Sequence, residues 1–126
     1  MDLSKFDTRK LAEEGTTIHL TVEGTLLRGG DDKPIDFVVK GTDSPVIRDY
    51  LKKSAGEQKA EGAEALAERD IEFACELCIG WSDNASLKGK AFKYSRKNAE
   101  VLFAIPAIRE ALILEATKRA NFMQKD

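Results

Sequence analysis

Ile79-Gly80-Trp81-Ser82, followed after a short polar loop by Phe92-Lys93-Tyr94-Ser95-Arg96-Lys97-Asn98-Ala99, is the stretch on which the reading of this chain turns. Upstream of it, from Ala65, apolar residues recur at the helical period. Ala67, Ile71, Ala74, Cys78 and Trp81 make one stripe, with Leu66, Phe73 and Leu77 beside it. A face that wide belongs to a helix covered on more than one side. The pattern predicts a helix that runs into Trp81, the only tryptophan, and stops around Gly80 and Asp83-Asn84. Ser95 is then placed to cap a second helix carrying Ala99, Val101, Leu102 and Phe103. Pro106 restarts or kinks it, and Ile108, Leu112 and Ala116 continue the apolar face. Ala111-Leu112-Ile113-Leu114 is apolar on every side for one turn, which suits either the centre of the core or an oligomer contact.

Toward the N-terminus the period changes. Asp7 can cap a short helix through Arg9–Glu14, with Gly15 as its stop. Thr17, His19, Thr21 and Glu23 then alternate with Ile18, Leu20 and Val22, the pattern of a half-buried strand, which Leu26-Leu27 would extend past Gly24. Gly29-Gly30-Asp31-Asp32-Lys33-Pro34 signals a turn, and Ile35 to Lys40 supplies a second strand. Two strands alone are marginal in water, so this unit must lie on helices, a third strand or another subunit. Ser44 and Pro45 mark the return to helix as N-cap and first helical residue. There Val46, Ile47, Tyr50 and Leu51 share one face. From Ser54 to Glu64 no large apolar residue occurs, and Gly56 and Gly62 each weaken a helix by about 1 kcal/mol relative to Ala. That stretch reads as a solvated helical arm or a frayed connector.

These signals predict an α+β domain over residues 1–126. Residues 1–43 would hold a short helix and a small β-hairpin or sheet, and 44–126 a bundle of three to four helices, with 54–64 the polar arm or connector. The length suits one domain with a core that needs neither metal nor disulfide. Charged residues make up 33% against about 25% in ordinary domains, but 20 basic and 22 acidic residues nearly cancel. A net charge of −2 gives no basic field for nucleic acid. Met1-Asp2-Leu3-Ser4-Lys5 lacks the apolar core of a signal peptide, and the apolar runs are far too short to span a bilayer. The expected location is cytoplasmic.

Candidate chemistry is sparse. Cys75-Glu76-Leu77-Cys78 is a CxxC, but a redox site needs its first cysteine at a helix N-terminus, and the periodicity puts both thiols mid-helix on an apolar face. Zinc needs further ligands, and His19 is the only histidine. Buried, inert cysteines are the favoured reading. His19 falls on the polar face of a strand with no nucleophile assigned to it. Gly29-Gly30 is a turn, since neither a P-loop nor a dinucleotide fingerprint surrounds it. Glu13-Glu14 and Asp31-Asp32 read as solvated capping and turn residues. Lys52-Lys53, Lys88, Lys90, Lys93, Arg96 and Lys97 form a modest basic area around Phe92 and Tyr94. Such interleaving can bind single strands, but the balanced charge and absent RNA-binding signatures argue against it. Trp81, Phe92 and Tyr94 remain: they either close the core between two helices or form an aromatic contact patch for a partner.

The same residues carry a family resemblance. Asp7-Thr8-Arg9-Lys10 leading to Glu13-Glu14-Gly15 is followed by a strand pair, Gly41-Thr42-Asp43-Ser44-Pro45 and a charged helical stretch. Gly80-Trp81-Ser82, Phe92 to Ala99 and a closing Arg119-Ala120-Asn121-Phe122 complete the order. The chain resembles, over nearly its whole length, the small tail assembly chaperones of long-tailed bacteriophages and prophages. The loop from Asp83 to Lys90 departs from that pattern in lacking a regular Asp-Gly turn. The resemblance implies a non-enzymatic protein without cofactor or metal. It would coat the tape measure protein while tail tube subunits polymerise, and be absent from the mature virion. Self-association into dimers or rings would fit the Ala111–Leu114 belt, while nucleic acid and membrane are not expected partners. The family fixes no partner-binding residues, so Trp81, Phe92 and Tyr94 are the candidates. Alternatives are a structural tail or head–tail joining protein retained in the virion, and a small redox protein using the CxxC.

Overall fold

The computed structural model describes residues 1–56 and 63–124. A 3-10 turn at Leu3–Phe6 precedes helix α1, Arg9–Glu14. The Asp7 carboxylate accepts from the Arg9 backbone N–H at 3.1 Å, and Gly15 ends the helix at φ 91°, donating its N–H to the Leu11 carbonyl. Strand β1, Thr16–Ile18, follows at once. A tight hairpin of β2, Thr21–Val22, and β3, Thr25–Leu26, comes next, and then β4, Phe37–Val39. β1 pairs antiparallel with β4, Ile18 opposite Phe37 and Thr16 opposite Val39. The expected hairpin therefore exists, but its connection folds into a second one. Glu23 and Gly24 both take positive φ, the geometry of a two-residue hairpin turn, and this breaks the long strand predicted through Leu27. His19 lies between β1 and β2 and not within a strand.

Helix α2, Pro45–Gly56, starts as its sequence dictates. The Ser44 hydroxyl lies 3.4 Å from the Ile47 N–H and the Ser44 carbonyl accepts from Arg48. Its buried side differs from the expected one. Ile47 is buried and Tyr50 half-buried, stacked on Phe73 with ring centroids 6.1 Å apart, whereas Val46 and Leu51 face solvent. The arm expected over 54–64 falls mostly on residues outside those described.

Helix α3, Ala63–Leu77, ends four residues before Trp81. Cys78–Trp81 is strand β5, paired antiparallel with β4 to give the sheet order β1-β4-β5. This corrects the helix predicted to run into the tryptophan. It also corrects the division into an N-terminal sheet and a helical remainder, because the third strand comes from the second half of the chain. The physical reason is the open edge of β4, whose backbone groups need partners, which Cys78–Trp81 supplies. A register shift leaves Ile79 as the extra residue between Gly80, opposite Val38, and Cys78, opposite Val39. The bulge keeps Cys78 and Trp81 both buried while Ile79 and Gly80 point away.

A second two-residue hairpin, β6 Ser86–Leu87 and β7 Lys90–Ala91, turns at Lys88-Gly89, again with both residues at positive φ. Ser95 caps α4, Arg96–Phe103, accepting from Asn98 at 3.0 Å. Pro106 opens α5, Pro106–Thr117, and a 3-10 turn at Arg119–Phe122 closes the chain. The inner sheet face, with Ile18, Phe37, Val39 and Trp81, and the helix residues Leu77, Ala99, Phe103, Leu112 and Ala116 form one buried cluster, which Phe122 joins. Of the apolar turn Ala111–Leu114, Leu112 is fully buried and Leu114 is 58% exposed, so that segment serves the core on one side only. The architecture is α+β, with a mixed-origin sheet lying on helices.

Candidate functional site

The three aromatics singled out in the sequence meet. Trp81, last in β5, faces Phe37 across the sheet at 6.2 Å between ring centroids. Phe92, just past β7, stacks on the indole at 5.6 Å and 9°, and Tyr94 meets it edge-on at 5.0 Å and 87°. Both are favourable geometries for rings whose faces are negative and edges positive. The indole Nε1–H donates to the Phe92 carbonyl at 2.7 Å, and the Tyr94 hydroxyl lies 3.4 Å from the Cys78 carbonyl. These bonds tie the segment leaving β7 to the end of β5.

Burial divides the cluster. Trp81 is 7% exposed, Phe92 half-buried and Tyr94 36% exposed. Trp81 therefore closes the core, as one of its two sequence readings has it, and Tyr94 with the edge of Phe92 is what a partner can touch. Beside the stack lies a cavity of about 140 Å³, bounded by Trp81, Phe92 and Phe37 together with Leu27, Ile35 and Leu102.

The cysteines sit at a junction and not mid-helix: Cys75 in the last turn of α3, Cys78 opening β5, both buried as free thiols. Burial pushes the Cys78 thiol up to about 12 and raises that of Cys75 as well. That is the reverse of an activated thiolate. His19 Nε2 lies 2.7 Å from Asp36 Oδ1, both side chains about half exposed. Ser82 is joined to the Asp36 backbone but its hydroxyl is otherwise engaged: it donates to Asn84 Oδ1 at 2.5 Å and accepts from the Asp36 N–H at 2.9 Å. Its proton is not directed at the imidazole. Among the described residues no group of three His, Cys, Asp or Glu side chains is placed to hold a metal, and no helix is long and apolar enough to cross a membrane.

Two polar hubs escaped the sequence reading. Asp43 accepts from the Thr8 hydroxyl, from Arg48 at 2.9 Å and from Arg119 at 2.9 and 3.2 Å, so one carboxylate joins the start of α1, the first turn of α2 and the closing turn. Arg119 and then Thr8 are the main causes holding its carboxyl well below the usual range. Asn84 donates to Asp31 at 3.0 Å and to the carbonyls of Lys33 and Pro34, while its own carbonyl accepts from Gly30. It pins the Gly29–Pro34 turn to the loop after β5. A Cβ at Gly29 would fall 2.2 Å from the Asn84 oxygen, which explains the glycine. Asp-Ser-Pro before a helix hinted at the first hub; nothing local marks the arginine 76 residues away.

The remaining surface is notable for solitary apolar side chains. Val46 and Leu51 on α2, Ile79 on the outer sheet face, Val101 and Ile105 at the α4–α5 junction, and Leu114 on α5 are each 38–58% exposed. Comparison with protein-family models, with curated proteins and with solved structures finds no match.

Proposed function

We propose that this protein is a non-catalytic tail assembly chaperone of a long-tailed phage or prophage. It would bind the tape measure protein in the host cytoplasm and release it as tail tube subunits assemble. The observation that carries this reading is the ordered series Gly41–Pro45, Gly80-Trp81-Ser82, Phe92–Ala99 and Arg119–Phe122, which resembles that family in sequence. The geometry is compatible: both thiols are buried and His19 is paired with Asp36, while apolar groups on several helices remain open to contact. Reversible coating of a long helix needs many weak apolar contacts and no single deep cleft, and exposed Val46, Leu51, Val101, Ile105 and Leu114 suit that task. The same side chains would serve self-association.

The test is co-expression with a candidate tape measure protein from the genome that encodes this chain. The proposal expects the tape measure protein to stay soluble and to co-purify with this chain, and to aggregate when expressed alone. Equal solubility in both cases would contradict it.

A further inference from the structure

We infer that the cavity beside the Trp81–Phe92 stack receives one large apolar side chain, Leu, Met or Phe, from an acidic helical segment of a partner protein. As a statement of where the tape measure protein binds, this rests on the chaperone reading; the chemistry of the site rests on the residues alone. Three observations support it. The first is capacity. The cavity holds about 140 Å³, and a dry apolar cavity of about 150 Å³ is enough to bind benzene. Its walls are mostly apolar, Leu27, Ile35, Phe37, Trp81, Phe92 and Leu102 among them, with Arg28 and Ser86 also lining it, so an apolar occupant replaces empty space with contacts.

The second is charge. Between Ala85 and Ala99 the chain carries Lys88, Lys90, Lys93, Arg96 and Lys97 and no carboxylate. Lys88 and Lys90 belong to the hairpin whose Leu87 also lines the cavity, and Lys93 follows Phe92. Lys88, Lys90, Lys93 and Lys97 are exposed, and none forms an ion pair among the described residues. The third is polarity of the rim. Asp31, in the turn beside the site, is already engaged by Asn84 and by the Lys33 N–H, and Glu76 and Glu100 are taken up by Arg96, so these carboxylates leave the four lysines uncompensated. A partner with acidic residues around one apolar anchor would match the lysine side, be steered by it and seat in one orientation.

Trp81, the only tryptophan, lines the cavity and reports its occupancy by fluorescence. The probes are synthetic helical peptides added to the purified full chain: a Glu-rich peptide with one central Phe, its Phe-to-Ala analogue, and a Lys-rich version keeping the Phe. The acidic Phe peptide should change Trp81 emission saturably, with an affinity that falls as salt is added. Both analogues should bind at least about tenfold more weakly. Ala85→Leu, which fills the cavity from a buried position, should remove the response. Lys88→Glu with Lys90→Glu, on an exposed hairpin that leaves the core alone, should weaken binding by about tenfold with an unchanged circular dichroism spectrum. Equal binding of all three peptides, or no saturable change with the acidic Phe peptide, would overturn the inference. The two proposals fail separately. Peptide binding without tape measure capture would remove the chaperone reading and leave the site. Undiminished capture by the lysine double variant would remove the site and leave the chaperone reading.

Discussion

Trp81→Phe is the substitution that best separates a core role from a contact role for the tryptophan. The indole is 7% exposed and donates at 2.7 Å to the Phe92 carbonyl. Losing that donor removes a bond worth about 0.5–1.5 kcal/mol net. Contacts with Phe92 and Tyr94 add about 0.5–1.5 kcal/mol each beyond area, of which a phenyl ring keeps a part. The missing ring enlarges the neighbouring void, at a cost of about 1 kcal/mol. Together these lower stability by about 2–3 kcal/mol. For a chain of this size, Tm falls by roughly 3–5 °C per kcal/mol, so a drop of about 6–15 °C follows. Urea unfolding followed by circular dichroism measures it, since the fluorophore is lost; the m-value should stay constant. Tyr94→Phe is the internal control, because it removes only a 3.4 Å hydroxyl contact at a partly exposed site and should change stability by about 0.5 kcal/mol or less. If the two substitutions cost the same, Trp81 does not close the core and the burial argument is wrong.

Asp43→Asn tests the first hub and its pH dependence. The carboxyl is depressed when folded, so its contribution is present above the unfolded value, about 3.9, and is lost as pH falls through the folded value. At neutral pH the variant should be less stable by about 1–2 kcal/mol, the exposed arginines adding little, and the Tm gap from wild type should narrow below about pH 4. A gap independent of pH would refute the charge argument. Gly41→Ala should destabilise by about 1–3 kcal/mol in the same urea assay, because the new Cβ would lie 2.9 Å from Ala12 Cβ and 3.0 Å from the Phe122 ring. Cys75 and Cys78 should react slowly with a thiol reagent in the native protein and quickly in denaturant, given their burial and raised thiols. Rapid native labelling would reopen the redox reading.

Local signals located most elements. Ser44-Pro45, Ser95 and Pro106 begin helices where their capping chemistry says they should, and the turn before Ile35 forms. What escaped was decided at a distance. Cys78-Ile79-Gly80-Trp81 continues the apolar period of α3, and only the unpaired edge of β4, some forty residues earlier in the chain, makes it a strand. Glu23-Gly24 and Lys88-Gly89 carry the X-Gly signal of a two-residue hairpin, but flanking strands of only two residues are too short for an alternating pattern to show. The meeting of Trp81, Phe92 and Tyr94 was legible as proximity in sequence. Its division into a buried indole and an open tyrosine was not, because burial depends on how β5 enters the sheet. The Asp43 hub was the least legible, since Arg119 reaches it from the far end of the chain.

The most direct measurement of the proposed role is a tagged pull-down from cells carrying the complete phage or prophage tail genes, with mass spectrometry of both the captured proteins and purified particles. A tail assembly chaperone predicts the tape measure protein among the captured proteins and this chain missing from finished virions. Its presence in the virion in stoichiometric amount would contradict the chaperone role and make it a structural tail component. Absence of any tail protein from the captured material would contradict a place in tail assembly altogether.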